Sequence, residues 1–155
     1  MLNLYESNIN LFLQKNFQYS IGFFKYITHL VIFTYPLLLI SLYMKKIKLK
    51  HIIFFKLGML LVLFIKRIVG RPRPYMVNNN IIKYDTTVRN FTSFPSGHAF
   101  SAIYIMLLFN KNKYIKVICS MIIFSRLILG VHYMTDIIAS YIISYIIIKS
   151  FFDYT

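Results

Sequence analysis

His132 and Asp136 stand four residues apart, a spacing that puts both side chains on one face of a helix within reach of each other. A carboxylate that accepts a hydrogen bond from one ring nitrogen fixes the tautomer and turns the other nitrogen's lone pair outward. Such an imidazole is an oriented nucleophile for attack on phosphorus; the plainer alternative is a structural pair near an interface. His98 follows Ser96-Gly97 at an expected helix start. A leaving alkoxide or phosphate needs a proton donor of this kind near neutral pH, although taken alone His98 reads more readily as a snorkelling interfacial residue. Lys66, Arg73 and Arg126 are cations at the ends of apolar runs, where they could clamp the oxygens of a transferring phosphoryl group. Arginine suits that task because its planar fork binds two oxygens at once. Pro95 stops any preceding helix, and Ser96-Gly97 would present backbone N–H groups at the positive end of the next one, an anion site. Lys66 has ordinary interfacial anchoring as its alternative, the role we give its neighbour Arg67. Arg71 is open between a substrate contact and a supporting position. Gly130 is expected to let the chain turn between Arg126 and His132, which one straight helix would put on different faces.

The elements that position these residues are expected to be membrane helices. Fifty-eight per cent of the 155 residues are hydrophobic and only 14% are charged, against roughly 25% charged in a soluble domain. That leaves too little polar surface to coat a globule. Spanning helices need about 20 mostly apolar residues, and runs 26–44, 52–69, 99–109, 114–129 and 132–152 are the candidates. The third is short, with a re-entrant or buried helix as its alternative. Pro36 should kink the first. Ahead of them, Leu2, Tyr5, Ile9, Phe12 and Leu13 recur at near-helical spacing among Asn, Gln and Glu, which predicts an amphipathic helix over 1–20 lying in the membrane interface. The fold class is all-α: a polytopic helix bundle of about five spans plus that helix, in a single membrane-embedded domain, 1–155, with the chemistry within 66–136. The N-terminus lacks the pattern of a cleavable signal peptide.

Eighteen Lys and Arg against four carboxylates give a net charge of +14. The cations sit largely between apolar runs, so anionic lipid and phosphate are expected partners and nucleic acid is not. Lys45, Lys46, Lys48 and Lys50 crowd one connection, and Lys111, Lys113 and Lys116 another; such loops stay cytoplasmic. The opposite face is also basic, with Arg71, Arg73, Lys83 and Arg89, which the positive-inside rule does not explain, and something anionic should sit there. One cysteine (Cys119) and scattered carboxylates exclude a disulfide and argue against a metal cluster; no metal and no cofactor are expected.

Lys66, six residues, Arg73-Pro74; then Pro95-Ser96-Gly97-His98; then Ser125-Arg126, five residues, His132, three residues, Asp136: these three ordered blocks resemble the signature of the type 2 phosphatidic acid phosphatase superfamily. Any one block would be weak, and the ordered set is specific. The resemblance implies that His132 forms a phosphohistidine and that His98 protonates the leaving group and then activates water. Lys66, Arg73, Ser96, Gly97 and Arg126 would hold phosphate, with Arg71, Lys83 and Arg89 as distal contacts. It further implies a lipid phosphatase in the cell's inner membrane with its site facing outside. The favoured substrate is undecaprenyl diphosphate, if the source is bacterial, with phosphatidylglycerophosphate, phosphatidate or lipid A as alternatives. Outside that class stands a non-catalytic phospholipid-binding membrane protein, which would need neither nucleophile nor proton donor. Membrane relatives resemble six-span bundles with the first block after the third span; here it follows the second. One span is missing, with the N-terminal helix or a homodimer as candidates for completing the groove.

Overall fold

The structure is a computed structural model that describes residues 2–85 and 91–151. Its elements are helical: α1 (Leu2–Asn16), α2 (Ile21–His29), α3 (Thr34–Tyr43), α4 (Leu49–Val69), the short α5 (Pro74–Val77), α6 (Gly97–Leu108), α7 (Lys113–Ile128) and α8 (Met134–Phe151). An isolated antiparallel bridge pairs Pro72 with Thr92.

α2 and α3 form one apolar helical run, Gln18–Tyr43, interrupted by a 3-10 turn at Leu30–Phe33. Pro36 explains that turn's position. Proline has no N–H to give the carbonyl four residues back, and its ring crowds that carbonyl, so the distortion falls just upstream of it. This run and α8 are the helices among the described residues that are long and apolar enough to cross a membrane. α4 has the length, 21 residues, but carries Lys56, Lys66 and Arg67.

α6 is the third apolar run, and it lies at the centre of the bundle. Its 12 residues rise about 18 Å at 1.5 Å per residue, well short of a hydrocarbon core about 30 Å thick. Every residue from Ala99 to Ile105 is buried. α6 is the central helix, and α4, α7 and α8 pack around it. Gly58 lets α4 come close to α6 and α8, because a Cβ there would lie 2.5 Å from Phe100 and 2.7 Å from Ile147. The main cluster joins Leu38, Phe55, Val62, Phe100, Tyr104 and Ile122. Outside it, Phe23, Ile32, Leu60, Phe64, Ile142 and Ile146 stand exposed, more apolar exterior than a water-facing surface usually carries.

α1 departs from the sequence expectation. Its polar residues Glu6, Ser7, Asn10 and Gln14 are buried against the bundle, whereas Leu4, Tyr5 and Phe12 face outward. The apolar row stays outward, as an interfacial helix requires, but the polar stripe faces protein instead of water. The last helix also begins later than expected, at Met134, which leaves His132 on the turn before it.

Candidate active site

The two ends of the bundle differ in chemistry. At one end the Tyr104 hydroxyl donates to His51 O at 2.7 Å and Lys50 Nζ donates to Phe151 O at 3.1 Å, so the lysine-rich connections gather there. At the other end α4 stops at Gly70 in the left-handed conformation, and the chain from Arg71 to Arg73 runs beside the segment leading into α6. Ser93 N donates to Arg71 O at 2.8 Å. Lys66, buried in the last turn of α4, donates to the carbonyls of Thr92 (3.2 Å) and Ser93 (3.0 Å). These bonds clasp the first cationic block to the second.

Ser96 starts α6 by accepting from Ala99 N at 3.3 Å, which satisfies one donor that a helix start leaves unpaired. Ser96 N donates to Ser140 Oγ at 3.0 Å, and Ser140 Oγ points back at the carbonyls of Ser96 (2.9 Å) and Asp136 (2.8 Å). The starts of α6 and α8 are thereby fixed to each other. Gly97 and His98 occupy the first turn of α6, half-buried. Among the described residues, the His98 ring has no hydrogen-bond partner.

Arg126 is fully buried near the end of α7. Its guanidinium donates to Asp85 Oδ2 at 2.9 Å and to the Thr28 hydroxyl, while its Nε has no partner among the described residues. A buried donor without an acceptor is costly, and a phosphate oxygen would satisfy it. The chain then reverses at Gly130, where φ is +69° and a Cβ would lie 2.6 Å from Ile81 and 2.7 Å from Gln14. This turn delivers His132, which is 2% exposed. Its Nδ1 lies 3.3 Å from Asp136 Oδ2, and Arg73 Nη1 lies 3.3 Å from its Nε2. A guanidinium can only donate and a carboxylate only accept, so these partners assign the proton to Nδ1 and turn the Nε2 lone pair toward Arg73. Burial, reinforced by Arg73, Arg126, Lys66 and His98, holds the His132 pKa well below its usual value. The imidazole is neutral at neutral pH, as a nucleophile must be. Burial also pushes Arg73 down to about 10, which leaves it protonated.

The structure thus brings Lys66, Arg73, Ser96, Arg126, His132 and Asp136 to one end of the bundle, with His98 at the edge of the group. Arg71 is engaged elsewhere. It donates to Asp136 Oδ1 (2.8 Å), Thr135 Oγ1 (2.5 Å), Asn3 Oδ1 (2.9 Å) and Glu6, and its guanidinium lies 3.9 Å over the Tyr133 ring. Its hydrogen bonds are thus spent within the fold, on the carboxylate of Asp136 that also faces His132. Lys83 is exposed, 5.3 Å from the Tyr75 ring, and Arg89 lies outside the described residues. Sequence reasoning missed Glu6, Asn10, Thr28, Asp85, Thr135 and Ser140. One signal was available: carboxylates are scarce, four against eighteen cations, and Glu6, Asp85 and Asp136 are all buried here. Among the described residues, no three of His, Cys, Asp and Glu converge on a metal position; the cations suit an anion.

The family model of the PAP2 superfamily matches residues 47–155. No curated protein and no solved structure matches the chain.

Proposed function

The chain belongs to the PAP2 superfamily, whose members are generally phosphatases, and from that premise we propose that it is a membrane lipid phosphatase working through a phosphohistidine without a metal. The observation that carries the reading is the geometry at His132: a neutral ring tethered by Asp136, its lone pair turned into a group of buried cations. His132 Nε2 attacks phosphorus and the bond to the lipid oxygen breaks. That oxygen takes a proton from His98. Neutral His98 then takes a proton from water, whose oxygen attacks phosphorus as the N–P bond breaks and phosphate leaves. Lys66, Arg73 and Arg126 hold the phosphoryl oxygens throughout, stabilising charge that spreads over them in the transition state.

A lipid substrate is supported by the exposed apolar exterior and by an apolar groove lined by Leu30, Phe33, Leu37, Ile115, Ile118 and Ile122. Ile122 lies one helical turn before Arg126, so a lipid tail in the groove would leave its headgroup near the cations. Within that class we favour a long-chain isoprenoid diphosphate such as undecaprenyl diphosphate. A diphosphate presents more charge than a monoester, and the loop that brings Asp85 to Arg126 also carries Lys83 and Arg89. The bundle would cross the inner membrane about five times with this site outside.

The test is phosphate release in detergent from undecaprenyl diphosphate, phosphatidylglycerophosphate and phosphatidate. His132→Ala should abolish release and leave lipid binding intact. Asp136→Asn should impair turnover less, because the nucleophile survives while its orientation suffers. Substantial turnover by folded His132→Ala sinks the mechanism. A preference for a glycerolipid monoester that persists in Lys83→Ala/Arg89→Ala moves the substrate assignment to that lipid.

A further inference from the structure

α1 precedes the family match, which starts at residue 47, yet its side chains hydrogen-bond the candidate site directly. Its buried polar row, Glu6, Ser7, Asn10 and Gln14, would be a heavy desolvation cost unless bonded, and each side chain is bonded, although Asn10 Oδ1 has no partner among the described residues. Asn10 Nδ2 donates to Leu127 O at 2.8 Å and to His132 O at 2.9 Å. Those carbonyls bracket the turn that carries the nucleophile, and only the nitrogen of the amide can serve both, because both partners are acceptors. Glu6 accepts from Thr135 Oγ1 at 2.9 Å and Thr135 N at 3.3 Å, placing negative charge at the positive start of α8. The same carboxylate pairs with Arg71, and Arg71 donates to Asp136 Oδ1 at 2.8 Å.

We propose that α1 is a positioning element of the phosphoryl-transfer site: Asn10 fixes the backbone of the His132 turn, and Glu6 balances Arg71 so that Asp136 can serve His132. The inference rests on the reading of His132 as nucleophile. Asp136 has two oxygens with two duties, Oδ1 toward Arg71 and Oδ2 toward His132 and Tyr133 N. With Glu6 present, Arg71 divides its charge between two carboxylates. Without that charge Arg71 draws on Asp136 alone, and the Asp136–His132 bond weakens. The outward apolar row of Leu4, Tyr5 and Phe12 explains how such a helix stays in place, because it prefers a surface other than water.

The charged and titratable groups facing His132 come from every neighbouring element: Lys66 from α4, Arg73 after it, His98 from α6, Arg126 from α7 with Asp85 behind it, and Asp136 from α8 with Arg71 and Glu6 behind it. Removing the Glu6 charge makes imidazolium less favourable, so the acid limb of kcat/KM should move to lower pH.

Full-length protein in detergent would be assayed with whichever of phosphatidate and undecaprenyl diphosphate the wild type turns over faster. Glu6→Gln keeps shape and an acceptor while losing charge; Asn10→Leu keeps approximate volume while losing both donors. Each should lower kcat about tenfold, as expected when a reacting group is displaced by a fraction of an ångström, with KM within about twofold. Glu6→Gln should also shift the acid limb downward. Wild-type kcat and an unmoved limb in folded Glu6→Gln overturn the inference, as does a loss of activity that only follows a lowered melting temperature with the limb unmoved. If Asn10→Leu does not fold, Glu6→Gln decides. His132→Ala run alongside separates the two levels. Turnover surviving there overturns the function reading and this inference together, whereas a dead His132→Ala beside a wild-type Glu6→Gln overturns this inference alone.

Discussion

The protonation state of His132 follows from what surrounds it. Burial removes the solvation an imidazolium would need, and Arg73, Arg126, Lys66 and His98 repel its charge. Both effects act in one direction, so protonating the ring requires a pH below the ordinary histidine range. Because kcat/KM reports the free enzyme, its acid limb in the wild type should lie below pH about 6.5. Arg73 is the strongest cationic contributor, so Arg73→Gln should move that limb upward even as it lowers the plateau. A limb at or above the usual histidine value in the wild type would show that His132 is not held neutral. Of the residues in this group, Lys66, Arg73, Arg126, His132 and Asp136 were legible in the sequence because their spacing repeats a chemical pattern. Glu6, Thr28 and Asp85 were not, since each is met only across the fold, 65 residues from Arg71 for Glu6, and 98 and 41 from Arg126 for Thr28 and Asp85. No local spacing encodes such pairings.

At the scale of elements, the same contrast separates period from direction. The sequence showed that α1 is amphipathic, but a stripe of Glu6, Ser7, Asn10 and Gln14 does not say whether water or protein faces it. The answer depends on carbonyls at Leu127 and Ile82 that the helix meets only after folding. The Pro36 distortion and the Gly130 turn were legible because proline and glycine act on their own backbone. Gly130 carries two requirements at once, a φ of +69° and space that Ile81 and Gln14 already fill to within 2.6 and 2.7 Å of a Cβ. Gly130→Ala should therefore destabilise the protein by about 2 kcal/mol or more, above the usual 1–2 kcal/mol for a left-handed residue alone. A detergent melting curve checks this. Turnover should fall in the surviving folded fraction as well, because Gly130 belongs to the turn that holds His132 and the atoms its new Cβ would displace lie on Ile81 and on Gln14 of α1.

The whole molecule sorts its charge by end. Lys50 reaches the carbonyl at the end of α8 and His51 meets Tyr104 at one end, while Lys66, Arg73, Arg126 and His132 gather at the other. Two helical runs among the described residues are long and apolar enough to cross a bilayer. The central α6 is too short to do so unaided, which is why counting apolar runs could not fix the number of spans. Buried side chains on all sides of α6 suggest that it crosses as cargo of the bundle, its polar first turn at the level of the site and its last turn short of the other surface. Its length then does not matter, provided that its two connections open on opposite sides. Asn79 and Lys113 report on those connections, and both are exposed. Single cysteines at these positions in a Cys119→Ser background should label from opposite sides. Asn79→Cys should react with an impermeant maleimide on intact cells and Lys113→Cys only after permeabilisation, since lysine-rich short loops stay in the cytoplasm. Labelling of both from one side would mean that α6 re-enters instead of crossing, and the five-span arrangement would give way to one in which the site and the lysine-rich connection after α6 share a face.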